Sequence, residues 1–594
     1  MFAWQDNVVI GVYFLFMVLI GFIFSKTSKN SSDYFRGGGS MSWWMTGASV
    51  FMANFSAWTF VAAGGRVYAT GTMIIFTSFF LQSVFGIVLA FHLAHRYRRM
   101  RVISPVDAIF SRYGRATEQI YAWYSMLSRL LFTGIPLYTL CIFVVPLMGI
   151  SLGQGMILVG CIVAFMSVTG GAWAVVASDF VQSLVLMMIS VITAVLTLMR
   201  PDVGGLSGFF EKLPPRQFDW TIHDQLPVLI IFVTALTMWQ FLQIYNLMMG
   251  AGRFLIVRSD TDAKKAAFLY SAGFLVGPLI WFIPPMAATF LFPDMGSLFP
   301  NLRNPEEMAY VAVANSVLPK GMLGMLACGI FAATMSALDT GLNQNSAILV
   351  RNIYLPLFRP QAGERELLIA GKVFTSLAGV IMIAGGFIYA KYSTVDLFAW
   401  NQHFNAILLM PMVIPLCLGL LFRRTPKATP IVAIITLLVV SFFLKFHLDY
   451  AAVAERLGWR PMDAREQADL MSGFIYLVGG ILGLIIYVIG TLLYKRFPLK
   501  GKDKERVQKL YQDMETPVTA VSEEHRHTDK MQYKNIGGLC LAYGGILILC
   551  ILLPNDLKGR VCFLICGGFV AGIGAVLWSL HLKIRGDKDR KMTS

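Results

Sequence analysis

The sequence predicts an all-α polytopic membrane protein, and three observations carry that expectation. Of 594 residues, 56% are hydrophobic and only 14% charged, giving a mean hydropathy of +0.65. Apolar runs of about 18–28 residues, long enough to cross ~30 Å of hydrocarbon, recur about fifteen times. The Lys and Arg residues gather in alternate loops between those runs.

In chain order the runs lie near 8–25, 43–66, 72–95, 123–149, 153–169, 172–199, 226–250, 266–292, 319–349, 368–391, 398–423, 429–447, 471–494, 536–554 and 561–582. The first has no basic segment ahead of it, because Met1–Asn7 carries only Asp6, and it reads as a retained helix rather than a cleaved signal. Basic clusters include Lys26, Lys29 and Arg36; Arg96 through Arg115; Arg253, Arg258, Lys264 and Lys265; and Lys495 through Lys504. The intervening loops are mixed or acidic. This asymmetry places the N-terminus outside and the C-terminus in the cytoplasm, which an odd helix count also requires. The net charge of +16 therefore reports topology and does not imply a nucleic-acid partner. All eight cysteines fall in expected helices without a CxxC pair, so no disulfide framework is implied.

Three segments depart from plain apolar helix. Gly47–Phe60 and Thr237–Gly252 mix small residues with mid-span Asn, Ser, Thr and Gln. They fall in the second and seventh spans. Interrupted helices at matching positions of two halves point to an inverted-repeat secondary transporter, since non-helical backbone at that depth must be buried in protein or line a cavity. The third segment, Phe331–Asn345, carries Asp339 with Ser336 three residues before it and Asn343 four after, all on one helix face. A carboxylate in hydrocarbon costs about 2.5–3.5 kcal/mol on insertion scales, so it normally faces a cavity, a partner or an ion. The stripe suggests a cation pathway.

Enzymatic chemistry finds no support: there is no HExxH, GxSxG or Walker loop, and Gly37–Gly39 is not followed by Lys-Ser/Thr. One polar linker, 497–535, contains Asp503–Glu515, which reads as a short amphipathic helix on the cytoplasmic face that Thr516-Pro517 ends. In the same linker, Glu523–His527 lacks zinc-site spacing and reads as solvated loop.

Three motifs in order, DYFRGGGSMSWWMTGAS (33–49), GGAWAVVASDFVQS (170–183) and AATMSALDTGLN (332–343), resemble the sodium:solute symporter family, which includes the sodium–glucose cotransporters. The resemblance covers roughly residues 1–495. It implies a LeuT-type core of five plus five inverted helices. The expected organisation is an extra N-terminal helix and loop over 1–42, the transport core over 43–425, peripheral helices over 426–496, the linker over 497–535, and two C-terminal helices with a basic tail over 536–594.

The resemblance also implies site residues. Sodium would be held by the backbone carbonyls of Met52, Phe55 and Ala333 and by hydroxyls at 336 and 337; position 336 is Ser336, but Ala337 lacks the second oxygen. Asp179, Asp339 and Thr340 fall on positions that hold a second cation in some members, so Asp179, Asp339 and Ser336 are read as a cation or proton site. The solute would lie among Trp58, Thr59, Ser78, Tyr245, Asn246, and Gln402 or His403. These are neutral polar and aromatic groups, suited to a hydroxylated solute. No basic residue matches them, which disfavours a carboxylate, although backbone N–H groups at a broken helix end could still receive one. The expected function is sodium-coupled symport of a small polar, sugar-like or polyol solute by alternating access, in the plasma (inner) membrane. Proton coupling, an organic-anion substrate and a transporter-derived sensor remain as alternatives.

Overall fold

The computed structural model describes residues 2–25, 41–102, 105–219, 226–244, 246, 250–300, 302, 304–392, 397–518 and 523–593. Among them the regular secondary structure is helical, apart from one isolated β-bridge between Met41 and Val257. The helices that matter here are α1 (Trp4–Ser25), α2 (Trp43–Ala53), α3 (Gly64–Thr70), α4 (Met73–His92), α5 (Ala94–Arg99), α6 (Pro105–Tyr113), α7 (Arg115–Phe132), α8 (Gly134–Met148), α9 (Leu152–Leu198), α10 (Leu226–Ile244), α11 (Asp260–Trp281), α12 (Ile283–Leu291), α13 (Met322–Ile348), α14 (Glu364–Tyr392), α15 (Leu397–Phe404), α16 (Met410–Leu421), α17 (Thr429–Phe446), α18 (Ala464–Leu493), α19 (Gly501–Glu515), α20 (Glu523–Leu549) and α21 (Leu557–Thr593).

Twelve helical stretches among the described residues are long and apolar enough to span a membrane. The other three of the fifteen expected runs are Trp4–Val18, Leu152–Val168 and the interrupted Trp43–Thr70. The runs expected at 153–169 and 172–199 form a single helical stretch, α9. Its start is fixed by a capping box in which the Ser151 hydroxyl accepts from Gln154 N–H while the Gln154 side chain takes the Ser151 N–H. No proline separates its two apolar halves, and Gly170-Gly171 is compatible with helix.

Small residues let the helices approach closely. A Cβ at Gly134 would stand 2.4 Å from the Gly385 backbone, and one at Gly86 would stand 2.3 Å from Ser271 Oγ. Such contacts provide the packing that drives helix association in lipid. The rim is apolar outward: Val380 and Ile388 on α14, Val439 and Phe446 on α17, and Leu492 on α18 are exposed. In contrast, α13 is almost wholly buried. It sits at the centre of the bundle, against α1, α2, α9 and α14.

The linker departs from expectation in two ways. Helix α19 forms where the amphipathic pattern predicts it, but Val507, Leu510, Tyr511 and Met514 are buried against protein. Arg99 donates to the carbonyls of Met514 and Glu515. Tyr511 Oη donates to Gly419 O at 2.9 Å, and Lys427 pairs with Asp503. The helix therefore straps the α4–α7 connection to the α16–α17 connection. The stretch from Glu523 is helix, not loop: the apolar pattern of the next span extends its helix into the polar segment.

Candidate functional site

The first break follows Ala53. Asn54 caps α2, and its side-chain amide donates back to Val50 O at 2.8 Å. Helix resumes at Ala57 and passes through a π-helical turn, Thr59–Ala63, before α3. The break is held from outside: Ala57 N–H donates to Thr334 Oγ1 on α13 at 2.8 Å. This satisfies one of the donors that an interrupted helix leaves over. The second break separates α10 from the 3₁₀ turn Gly250–Leu255.

Between these elements lies a cavity of about 270 Å³. Asn54, Trp58, Gln82, Gln240, Asn401 and Asn405 are among its walls, with Trp239, Tyr270 and Phe132 supplying aromatic surface. None of its lining residues carries a charge. Gln82 donates to Tyr270 Oη at 2.7 Å, and Asn405 to Asn401 Oδ1 at 2.7 Å, so these groups are preset by one another. A second cavity of about 150 Å³ shares Ala53, Asn54, Phe132, Pro136 and Ala337 with the first and continues past Asn246, Thr340 and Gln344.

A buried ionic cluster adjoins the cavities. Ser49 Oγ donates to Asp179 Oδ2 at 2.6 Å, and Ser167 donates to Asp339. Ser336 Oγ approaches the Asp179 carboxylate, yet Ser336 Oγ and Asp179 Oδ1 are both buried and make no standard hydrogen bond within the described structure. The Arg253 guanidinium enters the same cluster, 4.0 Å from Asp179 Oδ2 and 2.5 Å from Thr340 Oγ1.

The sequence profile of the sodium:solute symporter family matches residues 34–436, which include both breaks and the ionic cluster. The chain belongs to the sodium:solute symporter family. It is similar to the sodium/sialic acid symporter SiaT of Proteus mirabilis, 23% identical over 75% of this chain and 91% of the relative. It is also similar to human sodium/myo-inositol cotransporter 2, 26% identical over 76% of this chain and 71% of that one. The fold matches a solved Na+-coupled sialic acid symporter with a TM-score of 0.67 at 21% identity, covering 84% of this chain and 99% of that structure. A nucleobase-cation-symport-1 family transporter matches at a TM-score of 0.53 and 15% identity, over 81% of this chain and 99% of that one. As a sodium:solute symporter the chain is an integral, multi-pass membrane transporter with a LeuT-like helical fold, and not an enzyme.

Within this sodium:solute symporter the residues expected to hold sodium lie on the two elements that the Ala57–Thr334 bond joins. Met52 and Phe55 flank the first break, Ala333 and Ser336 lie on α13, and all four are buried. Ala337 lines both cavities with a methyl group. Asp179, Asp339 and Thr340 come together, and Arg253 joins them. Of the expected solute residues, Trp58 lines the larger cavity and Asn246 the smaller. Thr59 is buried in the π-helical turn. Ser78 accepts from Gln240 Nε2 at 3.0 Å, behind the cavity wall. Tyr245 lies outside the described residues. Gln402 and His403 do not line the cavity; Asn401 and Asn405, one helical turn apart, do. A residue one position along a helix is rotated by about 100°, so the motif located the helix but not its cavity face. Gln240 and Gln243 lay inside the interrupted run, and their spacing of three was the available signal.

Proposed function

We propose that the chain uses the sodium gradient to import a small, neutral, polyhydroxylated solute across a plasma membrane, with its N-terminus outside and its C-terminus in the cytoplasm. The observation that carries this reading is the uncharged cavity, walled by the amides of Asn54, Gln82, Gln240, Gln243, Asn401 and Asn405 and by two tryptophans. Amides both donate and accept, which matches hydroxyl groups. The aromatic faces suit the apolar face of a ring. A carboxylated solute would meet no basic side chain in the larger cavity, although Arg129 lines the smaller one beside it. The myo-inositol cotransporter among the relatives agrees with this chemistry better than the sialic acid symporter does.

Sodium binds where the first break meets α13, on the carbonyls of Met52, Phe55 and Ala333 and the Ser336 hydroxyl. Oxygen ligands suit a hard cation. Ala337 offers none, and Asp179 Oδ1, buried and without a hydrogen bond, supplies the replacement. Solute and ion then share the walls of one break, so occupancy by one shapes the site of the other.

Uptake into proteoliposomes tests the proposal, with labelled myo-inositol and labelled sialic acid under imposed sodium or proton gradients. The expected result is myo-inositol accumulation that requires inward sodium. Accumulation of sialic acid alone would overturn the solute class. Accumulation driven by protons and indifferent to sodium would overturn the coupling ion.

A further inference from the structure

We infer that Arg253 is a tethered cation filling the second cation position of this site, so that the protein binds one coupling ion and not two. The inference rests on the sodium reading above and deepens it.

By resemblance to the family, Asp179, Asp339 and Thr340 are expected where some members hold a second ion. In this chain that place is taken. Arg253 lies in the 3₁₀ turn Gly250–Leu255 just beyond the second break, and only 8% of it is exposed. Its Nη2 donates to Thr340 Oγ1 at 2.5 Å and stands 4.0 Å from Asp179 Oδ2. Its charge is also felt by Asp339. The hydroxyl and the carboxylate face that an ion would need at that end are thus engaged by a guanidinium, which does not lose its proton in proteins. No pH change within the range of a folded protein vacates the position.

The charge count points the same way. Two buried carboxylates face one guanidinium, and unpaired buried charge is costly. With both carboxylates ionised the cluster is one positive charge short, which a single monovalent ion supplies. The oxygens left for it are Asp179 Oδ1 and the Ser336 hydroxyl, neither in a standard hydrogen bond. The guanidinium holds one end of the cluster and the mobile ion takes the other. Arg253 is a positioning residue and does not touch the solute cavity.

The test is the number of ions bound by the purified full-length protein at saturating radioactive sodium. One ion per wild-type chain is expected, and two per chain for Arg253→Gln, whose vacated position exposes Thr340 and Asp339. Arg253→Lys, which keeps a tethered charge and is the milder change should Arg253→Gln fail to fold, is expected to bind one. Two ions in the wild type or in Arg253→Lys would overturn the inference, as would one ion in a monodisperse Arg253→Gln. Wild-type protein that binds no sodium would instead fail the sodium reading, and this inference with it.

Discussion

Ser49 Oγ donates to Asp179 Oδ2 at 2.6 Å, tying the helix before the first break to the middle of α9. Both residues are buried. The bond fixes one carboxylate oxygen and leaves the other, Oδ1, without a hydrogen bond. A hydrogen bond to a charged group contributes about 1.5–3 kcal/mol. Ser49→Ala should therefore raise the sodium concentration for half-saturation about tenfold, as read by radioactive-sodium titration. An unchanged titration would show that Asp179 needs no such tether.

The cavity amides make a separable prediction. Gln240→Ala and Asn401→Ala each remove donors and acceptors from an uncharged wall. Each should raise the KM for myo-inositol uptake about tenfold, the effect of about 1.4 kcal/mol. Sodium binding without solute should stay within twofold. A parallel loss of sodium binding would mean that these residues shape the fold instead.

Arg66 on α3 and Asp469 on α18 form a buried pair. Breaking such a pair from one side costs about 3–5 kcal/mol, whereas replacing both partners by apolar residues is often close to neutral. Asp469→Asn should lower the thermal midpoint of the detergent-purified protein well below that of Arg66→Met combined with Asp469→Leu. The reverse order would remove the pair from the list of structural constraints.

The strap helix offers a graded test. Tyr511 is buried, with Arg112 and Arg423 over its ring. Tyr511→Ala should destabilise the protein by about 3–5 kcal/mol by analogy with Phe→Ala in cores. Tyr511→Phe, losing only the bond to Gly419, should cost about 1 kcal/mol. Denaturation in detergent reads both. Equal effects would mean that the ring itself contributes nothing.

His95 lies just beyond the span Met73–His92. Burial, with Arg99 and Lys264 nearby, lowers its pKa from 6.5 to about 4. The folded protein thus binds its proton less readily than the unfolded chain, so stability is retained above pH 6.5 and declines as the pH falls toward about 4. His95→Gln should flatten that decline in a thermal-shift series. A slope identical to wild type would place the acid-sensitive group elsewhere.

The helical runs were legible because the membrane length requirement leaves a strong mark on sequence. The break at Asn54 was legible as well, in the small and hydroxyl residues around it. The cavity face of α15 was not: a motif match locates a helix, while the rotation that presents Asn401 and Asn405 is set by packing against α18 and the π-helical turn. Arg253 was hidden for a different reason. In sequence it is one of several basic residues following a span, and nothing local separates a cation in solvent from one folded back onto Asp179. Its position directly after the interrupted segment Thr237–Gly252 was the hint the sequence offered. The length of α19 was foreseen and its partner was not, because an amphipathic face does not say whether lipid or protein covers it.

The cluster of Asp179, Asp339 and Arg253 has an electrical consequence. On the one-ion reading, with both carboxylates ionised, the empty cluster carries one net negative charge and is neutral with its ion aboard. The membrane voltage therefore does little work on the loaded protein as it turns inward, and acts on the empty protein as it turns back. A cell interior held negative pushes that residual charge outward, by about 2.3 kcal/mol for each 100 mV it fully crosses. The resting potential would thus speed the reset and leave the delivery step to the concentration gradient.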